Sequence, residues 1–192
     1  MQYRSFVPDI ETLGSGLMAT LGAFGPLRAI AERVLVRDGL LDESGVQLNT
    51  WYPLQPCLDA MREIDERFGP EILFNIGAEI PNNVVFPTSV VDVHTAVASI
   101  DIAYHLNHRR AGRVMYDRET KQMIEGIGHY GYERLSDTHI LSTCTTPWPC
   151  EFDLGIVATM IRRFEPRAIV EHVGSECRRQ GASACTYSLR WG

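Results

Sequence analysis

Two sets of residues in this chain have types and spacings that could do chemistry. The first is sulfur. Four of the five cysteines fall between Cys144 and Cys185, and Cys177 and Cys185 flank a glycine-bearing turn, RRQGASA, between two segments that read as strands. A hairpin there brings two thiols near a third. Cys150 precedes the apolar-periodic run Phe152, Ile156, Val157, Met160, Ile161 and Phe164, so it starts a helix, where the positive end of the dipole favours a thiolate. Three converging thiolates make a candidate structural zinc site with His172 as the best placed fourth ligand, while Glu171, Glu176 and Cys144 compete for that role. Neighbours on a strand face opposite ways, so only one of Glu171 and His172 can point at the sulfurs.

The second set is nitrogen and oxygen. Asp101, His105 and His108 recur at i, i+4 and i+7 and share one face near the end of a predicted helix. They read either as a metal site with an open position or as a polar cluster facing a pocket; the plainer reading is a helix end whose histidines favour the negative pole of the dipole. His129 sits in GIGHYGYE, where small and aromatic residues alternate as they do in a strand approached closely by another group. Tyr104, Tyr130 and Trp148, with Tyr116 and Tyr132, could line an apolar cavity beside these histidines. Neither GxSxG, GxxxxGK[ST] nor GxGxxG occurs, so no nucleophile elbow, phosphate loop or dinucleotide fingerprint is present.

The elements that position these groups follow from periodicity. Leu27, Ile30, Ala31, Val34 and Leu35 share a helical face that opens at Pro26 and stops at Gly39. Leu58, Met61, Ile64 and Phe68 mark a second helix ending at Gly69, and Pro70 opens a third that stops before Pro81. PNNVVFP reads as a turn, and Ser89 with Asp92 as the capping box of a long central helix over about 89 to 108, carried by Val90, Val93, Val97, Ile100, Ala103 and Tyr104. After Gly112 the period drops to two, which predicts an antiparallel meander through RVMYD, QMIEGIGHYGYERL and THILSTC. A helix over about 151 to 164 and the strands AIVEHV and TYSLRW complete the chain. The expected fold class is α+β: N-terminal helices and a long central helix packed on an antiparallel sheet, with a C-terminal helix and a cysteine-bearing hairpin.

Composition narrows the function classes. A net charge of −6, with Lys and Arg in no stripe, gives no electrostatic footprint for nucleic acid. No apolar run is long enough to span a bilayer and no signal peptide is evident, so the expectation is a cytoplasmic protein without membrane contact. An odd cysteine count in that setting favours metal or free thiols over disulfides. With 192 residues and no composition break, the chain reads as one domain over 26–192 preceded by an extension over 1–25, an arm, a short helix or an exchanging segment.

Cys150, Gly155 and the segment EHVGSECRRQGASACTYSLRW resemble the 4-vinyl-reductase type domain, over about residues 99 to 191. That family shares a superfamily with haem and nitric oxide binding domains and with subunits of the transport-protein-particle tether. The resemblance implies a helix layer over an antiparallel sheet with a small-molecule pocket between, and in phenol-sensing relatives a zinc held by three cysteines and a glutamate. Cys150, Cys177 and Cys185 match the three thiols; the glutamate's place is taken by Gly174, so His172, Glu171 or Glu176 would have to substitute. The pocket histidine of those sensors has His105 as its nearest counterpart. The Tyr-x-Ser-x-Arg motif of the haem domains is missing, since Tyr187 is followed by Ser188, Leu189 and Arg190, and this argues against haem.

The expectation is thus a small-molecule sensor or carrier with a zinc-stapled hairpin, more a binder than an enzyme. Its ligand would be apolar or aromatic, met by His105, Asp101, His108, Tyr104, His129, Tyr130 and Trp148, and the protein would be a homodimer signalling to a partner protein. The alternatives are a metal-dependent enzyme using Asp101, His105 and His108, or a ligand-free scaffold or assembly subunit.

Overall fold

The computed structural model describes residues 2–42, 44–83 and 89–192. Helices and antiparallel sheets coexist, as an α+β fold requires. The helices are α1 (Ser15–Ala23), α2 (Arg28–Arg37), α3 (Leu54–Phe68), α4 (Pro70–Asn83), α5 (Val93–Leu106) and α6 (Cys150–Arg162). One sheet has the order β2 (Trp51–Pro53), β1 (Ile10–Leu13), β3 (His108–Arg110), β4 (Arg113–Val114). The other has the order β5 (Glu133–Ser136), β6 (His139–Cys144), β8 (Cys185–Arg190), β7 (Ile169–Val173).

Each helix buries the face its sequence makes apolar. On α3 the buried residues Leu54, Cys57, Leu58, Met61 and Ile64 recur at helical spacing. On α6 burial extends nearly all round, because α4 covers it on one side and the second sheet lies on the other. The α4 and α6 backbones approach closely enough that a Cβ on Gly155 would sit 2.2 Å from the Phe74 carbonyl oxygen, and one on Gly77 2.0 Å from that of Phe152. Glycine is the residue that permits this approach.

Residues 1–25 do not stand off from the core. β1 pairs with both β2 and β3, Ile10, Leu17 and Leu21 are buried, and α1 packs on α4. The central helix is shorter than its periodicity suggested. Its N-cap is Asp92, whose carboxylate accepts from the Thr95 N–H at 2.7 Å while Thr95 Oγ1 accepts from the Asp92 N–H at 3.1 Å. The expected turn at 81–87 begins inside α4, which runs to Asn83, and the rest of it lies outside the described residues. At the other end Asn107 breaks α5 with its side-chain amide on the Ala103 carbonyl at 2.7 Å, and the chain passes into β3, where His108 pairs with Thr12. Of the expected meander, the long segment 122–135 forms ladder only at its end, in β5, with isolated bridges Tyr116 to Met123 and Tyr130 to Cys144. No helix among the described residues is long and apolar enough to cross a membrane.

Candidate functional site

The early end of α5 separates the three residues that helical spacing had placed together. Asp101 and His105 stay one turn apart, but His108, now on β3, turns to the opposite side and enters an apolar cavity. The cavity lies between α1, α3, α4, α5 and α6; Leu17, Met61, Ile100, Phe152, Ile156 and Met160 line it. Tyr104, Tyr130 and Trp148 complete its wall, while Tyr132 is exposed and bonds to His94. The rings form a connected group: Tyr104 lies 4.5 Å from His108 and 5.1 Å from Tyr130, and Trp148 stacks on Phe152 at 5.0 Å.

His108 is the polar centre of this wall. Its Nδ1 donates to the Tyr104 carbonyl oxygen at 2.8 Å, and its Nε2 is buried with no partner among the described residues. Burial lowers its pKa to about 4, so the imidazole is neutral near pH 7. A neutral imidazole whose Nδ1–H is engaged presents Nε2 as a lone pair, which is the state in which histidine ligates a metal or accepts a hydrogen bond. His105, the expected pocket histidine, is absent from the cavity wall. It groups instead with Asp101 and His129 behind that wall.

The thiols converge as the hairpin spacing implied. Cys150, Cys177 and Cys185 offer sulfurs within 4.8 Å of one another, with Cys150 Sγ 3.0 Å from Cys185 Sγ and 3.8 Å from Cys177 Sγ. Cys185 is drawn down to about 4, first by the hydrogen bond from the Cys150 thiol, against burial, and then by the Arg178 N–H at 3.3 Å and by His172. Cys150 is pushed up correspondingly, so one proton resides between the pair. His172 is exposed on β7 with its ring 5.6 Å from that of Tyr187, and it lies outside the group of three sulfurs although it supports the Cys185 thiolate. Cys144 is buried at the Tyr130 bridge and is not part of the cluster either.

Sequence reasoning missed the ion pair that joins thiols to cavity. Arg178 and Asp153 have fully buried side chains and are bonded to each other. Asp153 also accepts from the Tyr130 hydroxyl at 2.5 Å and from the Thr146 hydroxyl at 2.7 Å, and Arg178 Nη1 donates to the Trp148 carbonyl at 3.0 Å. The signal was an aspartate set between the apolar residues Phe152, Leu154 and Ile156 of α6, since a buried charge is kept only with a partner.

Solved structures match over 93% of the chain, and not only over the stretch from about 99 to 191 that carried the resemblance. An H-NOX protein from S. oneidensis in the Fe(II) ligation state superposes with a TM-score of 0.65 at 13% identity, over 93% of this chain and 95% of that one. The fold is that of the H-NOX domains. An oxygen-binding H-NOX domain related to soluble guanylate cyclases matches at a TM-score of 0.61 and 14% identity, over 92% and 91% of the two chains. A structure reported under "Modulating Heme Redox Potential Through Protein-Induced Porphyrin Distortion" matches at 0.63 and 12%, over 93% and 99%. No family model matches the chain, and no curated protein sequence does. The H-NOX fold agrees with the superfamily that the cysteine pattern suggested, and the 4-vinyl-reductase type assignment within it receives no support. It also corrects the argument against haem. That argument rested on a missing Tyr-x-Ser-x-Arg motif, whereas solved structures sharing this fold are described in terms of haem, one under the heading "Probing the function of heme distortion in the H-NOX family".

Proposed function

We propose that this protein is a small-molecule sensor module whose ligand enters the cavity under α5 and is held by His108. The observation that carries the reading is the buried, unprotonated Nε2 of His108 with no partner among the described residues, set in an apolar and aromatic wall. An unpaired buried acceptor costs about 1–3 kcal/mol, a cost that a bound group can remove.

Haem fits this donor. His108 Nε2 would hold it, with the Tyr104 carbonyl fixing the ring and its tautomer, and Tyr104, Tyr130, Trp148 and Phe152 would supply the apolar enclosure. When bound, haem supplies an iron that takes up a diatomic gas. No arginine or lysine lines the described cavity; its polar groups include the hydroxyls of Thr12 and Ser15 and the amide of Asn107, while the Tyr104 hydroxyl is held by the Ile127 carbonyl at 2.8 Å.

A second reading has its own observation. The free interior measures about 80 Å³, which would have to open to admit haem but suits a gas or a small hydroxyl-bearing molecule as it stands, and His108 Nε2 could accept a hydrogen bond from such a hydroxyl. Titration of the purified chain with hemin separates the two. A Soret band that shifts on binding and is lost in His108→Ala supports haem; no specific uptake, together with ligand-induced quenching of Trp148 fluorescence by a small phenol, supports the second.

At the N-terminus of α6 the three sulfurs suit a thiophilic divalent ion, with His172, which acts on Cys185, as a candidate further donor. Such an ion would staple the β7–β8 hairpin to the α6 N-terminus. Output to a protein partner and pairing with a second copy belong to the same reading, and mass measurement under native conditions tests the latter.

A further inference from the structure

Behind the cavity wall lies a second cluster of donors with no sulfur in it. We propose that Asp101, His105 and His129, with Glu125 at the rim, bind a borderline divalent transition-metal ion. The first three each offer a donor atom within 4.8 Å of the others. Two imidazoles and a carboxylate form the nitrogen and oxygen set suited to zinc, cobalt, nickel or ferrous iron rather than to calcium or magnesium.

The cluster is held by backbone, not by chance side-chain contact. Asp101 and His105 are one turn apart on α5, and His105 Nδ1 is bonded to the Asp101 carbonyl at 2.8 Å. The Tyr130 N–H donates to Asp101 Oδ1 at 3.0 Å, and the His129 N–H donates to Thr145 Oγ1 at 2.9 Å. Gly128 has φ +75°, and a Cβ there would meet the Thr145 carbonyl oxygen at 2.3 Å, so glycine is required for the loop to bring His129 in. His129 then stands between two carboxylates, Nδ1 3.0 Å from Asp101 Oδ2 and Nε2 3.0 Å from Glu125 Oε2. The His105 ring lies 5.0 Å from the His129 ring, with its side chain fully buried and its Nε2 unpartnered among the described residues.

Charge favours a cation. Two carboxylates, Asp101 and Glu125, face the one His129 imidazole on the rim, a negative setting that a divalent ion would neutralise. Tyr104 precedes His105 and Tyr130 follows His129, and both wall the cavity, so the ion would fasten α5 to the 125–130 loop directly behind the sensing wall. The site does not depend on what the cavity binds.

Cobalt(II) titration of the metal-stripped full chain tests it, because thiolate coordination adds a sulfur-to-cobalt charge-transfer band that nitrogen and oxygen ligands lack. The expected result, apart from any cobalt that the thiols take up, is a cobalt ion with d–d bands and no charge-transfer band, retained in Cys150→Ser and at least tenfold weaker in His129→Ala and in Asp101→Asn, with unchanged circular dichroism. Cobalt whose every absorption carries the charge-transfer band, or whose uptake is untouched by His129→Ala, overturns the proposal. Because hemin uptake is read in separate samples through His108, loss of either site leaves the other measurable.

Discussion

His108 places its Nδ1 2.8 Å from the Tyr104 carbonyl oxygen, and this one hydrogen bond decides that the basic nitrogen left over is the one without a partner among the described residues. Removing the imidazole should therefore remove the donor without removing the cavity. His108→Ala is expected to weaken hemin binding about tenfold or more, roughly 1.4 kcal/mol, and free imidazole should restore the spectrum of the bound form. Unchanged affinity in the variant would assign the cavity's ligand to its apolar wall alone.

The same burial makes stability depend on pH in a direction that can be worked out. His108 is lowered to about 4 and His105 is also lowered, in both cases first by burial, whereas the unfolded chain titrates near 6.5. Between those values the unfolded state holds more protons, so stability falls as pH drops from about 6.5 to 4, by up to about 3 kcal/mol for His108. His129 acts oppositely. Burial pulls it down, but hydrogen bonds to Asp101 and Glu125 outweigh this and raise it, so its contribution is present below about 6.5 and fades as pH rises through the folded value. Urea unfolding should show stability rising as pH goes from about 4 to 6.5, and His108→Leu should flatten that acid slope. An acid slope identical in the variant would show that other groups carry it.

What the sequence could and could not show follows from the range of the forces involved. Periodicity located α3, α4, α6 and the β7–β8 hairpin, because each is fixed by local burial, and the hairpin in turn brought Cys177 and Cys185 to Cys150. It overran α5 by two residues at its C-terminal end, since Asn107 and the long-range pairing of His108 with Thr12 compete with helix there, and those two residues decide which histidine enters the cavity. β1 was illegible for a related reason: its four residues gain their partners from β2 and β3, both far along the chain.

The close approach of α4 and α6 gives a test of how the cavity is held. A methyl group at Gly155 would meet the Phe74 carbonyl at 2.2 Å, and backbone cannot yield as a side chain can. Gly155→Ala should cost at least about 1–3 kcal/mol by forcing the helices apart, although alanine is the better helix former. Since Phe152, Ile156 and Met160 line the cavity from α6, ligand affinity should change along with the urea midpoint. A variant as stable as the parent would mean that α4 slides freely on α6.

The pair Arg178 and Asp153 predicts a different pattern of loss. Both side chains are fully buried, and between them they tie the cysteine hairpin, the 146–148 loop, α6 and Tyr130 of the cavity wall. Removing one charge leaves the other uncompensated in a dry interior, so Arg178→Met alone should cost about 3–5 kcal/mol in urea unfolding. Replacing both, Arg178→Met with Asp153→Leu, removes the stranded charge and should recover most of that loss. Tyr130 then loses the acceptor of its hydroxyl, so the double variant is expected to fold yet bind cavity ligands more weakly. If the double variant is instead as unstable as the single one, the hydrogen bonds from Arg178 to the Thr146 and Trp148 carbonyls, and not the ion pair, hold the hairpin to the cavity wall.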